Sequence, residues 1–160
     1  MTGQKRSAQN QQVGRAGELF VAAELNKRGA LATLYLTGTP RVDVVATDPD
    51  QHKGANIQVK TKGPRSRVWQ ANIDKLRSET TEAGESDFLV LVDLGTDFEA
   101  PTYFICPFKQ AAARIVARFD DWLAAYGGKR PSGSDSPHVS ITVGDVSEWR
   151  DRWDLLGILR

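Results

Sequence analysis

The chain has little of what many secreted or metal-binding proteins depend on. Its 160 residues include one cysteine and two histidines. A lone Cys106 excludes an intrachain disulfide, and one thiol with two imidazoles is too small a set for a zinc site built on thiolates. Cys106 lies in the apolar run Tyr103-Phe104-Ile105-Cys106, where a free thiol packs like a small hydrophobe. No apolar run approaches the roughly 18 to 20 residues of a membrane-spanning helix. Met1 to Gln12 is polar and lacks the apolar stretch of a secretory signal. These absences point away from a membrane and toward a reducing, cytoplasmic setting. There is also no excess of one charge sign, since the net charge is +1. A composition 40% hydrophobic and 26% charged is that of an ordinary globular protein, and the length suits one domain with a proper core.

Charge is unevenly placed along the chain. Between residues 53 and 77, Lys53, Lys60, Lys62, Arg65, Arg67, Lys75 and Arg77 meet a single acid, Asp74. A basic stretch of this kind suits a partner with a phosphate backbone.

Periodicity predicts the elements. After a flexible tail over 1–12, an amphipathic helix runs from about Val13 to Arg28, closed by Gly29. Ala30 to Leu36 reads as a strand, punctuated by Gly38-Thr39-Pro40. Arg41 to Thr47 and Asn56 to Lys62 alternate apolar with polar residues and form a hairpin through the turn Asp48 to Gly54. A mainly polar helix follows from about Gln70 to Ala83, then strands at Phe88–Asp93 and Tyr103–Cys106. Pro107 opens a long helix whose core face carries Phe108, Ala111, Ala112, Ile115, Phe119, Trp122 and Tyr126. Lys129 to Pro137 is a loop, His138 to Val143 a late edge strand, and Asp145-Val146-Ser147-Glu148 has the spacing of a capping box for a last short helix. His52 in the hairpin turn and His138 have no recognisable chemical partner. This order predicts an α/β domain with a mixed central sheet flanked by helices, its core over 13–93 and a helical and strand extension over 94–160.

The hairpin carries the chemistry. Alternation puts Val42 and Val44 on one face and Asp43 on the other, and it puts Ile57 and Val59 opposite Asn56, Gln58, Lys60 and Lys62. Adjacent strands therefore present a carboxylate, an amide oxygen and an ammonium on one polar face. Asp43 and Gln58, with the Val59 backbone carbonyl as a third oxygen, are candidate ligands for Mg²⁺ or Mn²⁺, which prefer hard oxygen donors and retain water. Lys60, two residues from Gln58 on the same face, can stabilise a scissile phosphate or orient the attacking water. Arg65 and Arg67 are candidates for phosphate contacts and Trp69 for stacking on a base, with Lys62 extending the same basic run.

These residues resemble the motifs of the PD-(D/E)XK nuclease superfamily, the restriction-endonuclease-like fold. The matching pieces are the helix Gly14-Arg15-Ala16-Gly17-Glu18, the strand Val42-Asp43-Val44-Val45 and the strand Ile57-Gln58-Val59-Lys60. The resemblance implies a three-layer domain with a core of helix, three-strand meander, crossover helix and further strand. It makes Glu18 an accessory acid near the metal, Asp43 the family aspartate and Lys60 the family lysine. Two positions depart from the pattern. Val42 stands where the motif has proline, which has no chemical role, and Gln58 stands where most members have Asp or Glu, as in Gln-X-Lys variants of homing-endonuclease-like members. Exchanging that carboxylate for an amide removes one negative charge, lowers metal affinity and raises the dependence on Glu18.

The expected function is metal-dependent hydrolysis of DNA phosphodiesters by an endonuclease. One site nicks one strand, so cutting a duplex calls for a symmetric dimer. Two rival readings are a nucleic-acid-binding module that keeps the scaffold without catalysis, favoured by Gln58, and a protein-interaction domain built on the helical extension after Pro107.

Overall fold

Nine residues of alternating pattern, Gly54 to Lys62, form the longest strand and the axis of the molecule. The computed structural model describes residues 3–35 and 41–159, and of residues 3–6 the backbone alone. In chain order the elements are α1 (Gly3–Lys27), β1 (Leu31–Leu34), β2 (Val44–Thr47), β3 (Gly54–Lys62), β4 (Trp69–Asn72), α2 (Ile73–Glu82), β5 (Asp87–Asp93), β6 (Thr102–Pro107), α3 (Phe108–Ala125), β7 (His138–Ile141) and α4 (Val143–Val146). Two 3₁₀ turns, Ser147–Trp149 and Trp153–Leu156, close the chain.

Five strands form one mixed sheet in the order β1-β2-β3-β5-β6. β1, β2 and β3 are an antiparallel meander. β5 lies parallel to β3, with Gln58 opposite Leu89 and Lys60 opposite Leu91. That parallel pairing requires a crossover, which α2 supplies. β6 returns antiparallel to β5. The order of helix, meander, crossover helix and parallel strand is the core expected of the restriction-endonuclease-like fold.

Two apolar layers sandwich the sheet. On one side α1 sends Val21 and Leu25 onto Val44, Ala46, Ile57, Val59, Val90 and Ile105, with Trp153 and Leu156 of the last turn closing the layer. On the other, α2 and α3 send Leu76, Ala111, Ala112 and Ile115 onto Leu89, Leu91, Phe104 and Cys106. Each fully buried aliphatic side chain contributes roughly 1.5–3 kcal/mol. β5, apolar on both faces, is covered on both. Gly17 permits the close approach of α1, because a Cβ there would collide with the side chain of Thr61 on β3.

The structure departs from the sequence reading at several places. Trp122 and Tyr126, expected on the core face of the long helix, are 38% and 55% exposed, because the last turns of α3 run past the packed layer. The segment expected as a flexible tail is helical from Gly3 and continuous with α1. Residues expected to begin the second helix instead form β4, because Trp69 and Ala71 face the core in strand alternation. The late strand β7 joins β4 in a separate two-stranded sheet and does not extend the main one. The capping box lies three residues earlier than expected, between Thr142 and Asp145, where the Asp145 carboxylate accepts from the Thr142 backbone and hydroxyl. The break expected at Gly38-Thr39-Pro40, and Leu36 at the end of the first strand, lie outside the described residues.

Candidate metal and phosphate site

Asp43 stands where the β2 ladder ends. Its N–H donates to the Ile57 carbonyl at 2.9 Å, its carbonyl accepts from Tyr35 at 2.8 Å, and its carboxylate Oδ2 accepts the Val59 N–H at 2.7 Å. The last pair of the ladder is Val44 with Ile57, so the side chain of Asp43 takes the place of a backbone acceptor. A strand residue projects its N–H and C=O to the same edge. The Val59 carbonyl therefore points toward Asp43 and beyond the end of the β2 ladder.

Gln58 and Lys60 lie on the face of β3 opposite Ile57 and Val59. Both are half-buried, and among the described residues neither side chain makes a hydrogen bond or ion pair within the protein. At the Asn56 end of the strand opens a cavity of about 290 Å³ lined by Arg41, Val42, Asn56, Asp87, Phe88 and Phe108, and neither Gln58 nor Lys60 lines it. The guanidinium of Arg41 reaches Glu82 at 2.6 Å and Asp87 at 3.9 Å. Arg41 has φ 76°, a left-handed conformation that costs an L-residue of this size on the order of 1 kcal/mol. Those two ion pairs hold the strained residue two positions before Asp43. The sequence reading missed Arg41, and nothing in its local pattern signals the distant acids.

Glu18 belongs to the other layer. It is on α1, next to Gly17, and its carboxylate accepts from Arg15 at 2.9 Å. The structure thus joins Asp43 to Val59, which lies between Gln58 and Lys60 in β3, and joins Glu18 to Arg15, its neighbour on the helix.

The expected nucleic-acid contacts divide. Lys62 is only 9% exposed and its ammonium pairs with Asp93 at 2.6 Å while lying 4.9 Å over the Trp69 ring. Trp69 is 1% exposed, donates its indole N–H to the Val92 carbonyl at 2.8 Å and meets Phe104 edge to face. Neither is placed to touch a substrate, because the tryptophan supplies core area and the lysine covers its face. Arg65 and Arg67 are exposed in the turn after β3. Cys106 is buried as expected, and burial pushes its thiol pKa up.

Asp43, the Val59 carbonyl and the Gln58 amide offer oxygen donors only, with a single carboxylate among them. This fits a hard divalent cation that retains much of its water. No group of three or more His, Cys, Asp or Glu side chains suited to a metal occurs among the described residues. Likewise, no helix among them is long and apolar enough to cross a membrane.

No family model matches the sequence, and no curated protein matches it. Among solved structures, the chain is similar to Archaeoglobus fulgidus Hjc, a Holliday junction resolvase from an archaeal hyperthermophile, at 21% identity and a TM-score of 0.43, over 61% of this chain and 74% of that one.

Proposed function

We propose that the protein is a metal-dependent endonuclease that hydrolyses DNA phosphodiester bonds. The observation that carries this reading is the contact of Asp43 with the Val59 N–H at 2.7 Å, which puts a carboxylate and an outward-pointing carbonyl at one strand end beside Gln58 and Lys60. Asp43, Gln58 and the Val59 carbonyl would hold Mg²⁺ or Mn²⁺, without Glu18, whose carboxylate is engaged by Arg15 in the α1 layer. The bound ion supplies Lewis acidity and a lowered pKa for water.

The remaining chemistry belongs to the chain. Lys60, with no internal partner among the described residues, is a free cation for a non-bridging phosphate oxygen and a donor that orients the attacking water. The fixed backbone of β3 keeps Lys60 and Gln58 on one face without reorganisation. Arg65 and Arg67 supply charge for the phosphate backbone.

Incubation of the protein with supercoiled, linear and branched DNA in Mg²⁺ or Mn²⁺ tests the reading. Nicking is expected, with Asp43→Ala abolishing it and Lys60→Ala slowing it by about 10²- to 10⁴-fold. Cleavage that survives both substitutions overturns the assignment.

A second reading, a DNA-binding module without catalysis, is favoured by one observation: Gln58 leaves a single carboxylate on the polar edge. Salt-sensitive DNA binding with no metal uptake by calorimetry would decide for it.

A further inference from the structure

We propose that Tyr35 is a substrate-positioning residue that stacks on an unpaired base beside the scissile phosphate. The proposal rests on the nuclease reading and deepens it by naming the substrate class, DNA with an unstacked base next to the cut.

Strand geometry places Tyr35 on the same side of the sheet as the candidate site. Ala32 and Leu34 of β1 pack into the α1 layer. By alternation Leu31, Thr33 and Tyr35 point to the opposite side, the side that bears Gln58 and Lys60. Tyr35 is also the direct cross-strand neighbour of Asp43, to whose carbonyl it donates at 2.8 Å. Only β2 separates it from β3, so two inter-strand spacings, about 10 Å, lie between Tyr35 and Gln58. A nucleotide whose phosphate sits at Gln58 and Lys60 can place a neighbouring base over that distance.

Among the described residues, the face is open at Leu31 and Tyr35 and covered over the far strands. The layer of α2 and α3 covers β5 and β6, whereas Leu31 is 50% exposed and Tyr35 48% exposed. A half-exposed phenol ring just past the end of β1, its backbone held by the Asp43 carbonyl, has no core to fill. Among the described residues its side chain makes no hydrogen bond and no contact with another aromatic ring. Neutral and flat, it suits the π-face of a base better than a phosphate, and every base has such a face. A base paired within a continuous duplex is already stacked on its neighbours, so the partner is single-stranded or branched DNA.

The test uses Tyr35→Phe and Tyr35→Leu in the full chain, after circular dichroism shows native folding. A fluorescein-labelled single-stranded oligonucleotide and the duplex of the same sequence are titrated by anisotropy in EDTA, and cleavage of a branched substrate is followed in Mg²⁺. Tighter binding to the single strand than to the duplex is expected. Tyr35→Leu should weaken single-strand binding roughly 5- to 100-fold and raise KM with little change in kcat, while Tyr35→Phe should retain the wild-type values. Equal binding of all three proteins, with cleavage still lost in Asp43→Ala, overturns the stacking role and leaves the nuclease reading standing. A wild-type protein that binds neither DNA overturns both.

Discussion

At the scale of single residues, Gln58 carries the largest chemical consequence. An amide oxygen binds a divalent cation more weakly than a carboxylate, and the affinity of oxygen-ligand sites is tuned by how many charges the ligands carry. Gln58→Glu adds the missing charge at a position already on the polar face, half-buried and without a side-chain partner among the described residues. We expect Mn²⁺ to bind about tenfold or more tightly to this variant in calorimetry, and nicking to occur at lower metal concentration. An unchanged isotherm would mean that Gln58 does not face the ion. The sequence placed Asp43, Gln58, Val59 and Lys60 together because strand alternation depends only on parity. It could not place Arg41, whose partners Glu82 and Asp87 arrive through long-range folding. Nor could it separate Lys62 from its exposed neighbours, since that lysine is covered through Asp93 and Trp69, residues on other strands.

At the scale of elements, the seam between α1 and β3 is governed by Gly17. Alanine there gains about 1 kcal/mol in helix propensity. The new Cβ meets Thr61 within overlap distance, and overpacking of this kind costs about 1–3 kcal/mol. Chemical denaturation should therefore show Gly17→Ala less stable by about 1 kcal/mol. Thr61→Ala should recover part of that loss in a double-mutant cycle, since the Thr61 hydroxyl is buried without a partner. The helices and main strands were legible because their apolar faces have periods of 3.6 and 2. β4 was not, because four residues are too few to show a period, and it exists only by pairing with β7, some 70 residues away in Gln70 and Ser140. The first twelve residues read as a tail because their polar composition gives no amphipathic face, yet the helix propagates back to Gly3 from the packed turns of α1.

At the scale of the whole molecule, the basic stretch in the sequence is not a continuous strip in space. Lys53 and Arg65 lie beyond opposite ends of β3, whose nine residues span roughly 30 Å. Arg77 is engaged by Asp120, and Lys62 by Asp93. If DNA is the partner, its phosphates are met by a few exposed cations near the site. In a plot of log binding constant against log salt, Arg65→Ala and Arg67→Ala should each flatten the slope by about one. Lys62→Met should leave the slope alone and lower stability by about 2 kcal/mol, less than for a fully buried pair because Asp93 still reaches water. A flattened slope for Lys62→Met would show that its ammonium leaves Asp93 when DNA binds.

The pairing of β4 with β7 ties the two ends of the chain's history together. A shortened gene stopping after Asp93 would encode every motif of the hairpin but no β6, so the backbone of β5 would be left as a bare hydrophobic margin, open to neighbouring molecules. It would also lack the strand that keeps Trp69 and Ala71 inward. The last third, which carries none of the proposed chemistry, is therefore the portion that keeps the hairpin soluble, and transplanting the motifs alone would carry the reagents without the vessel.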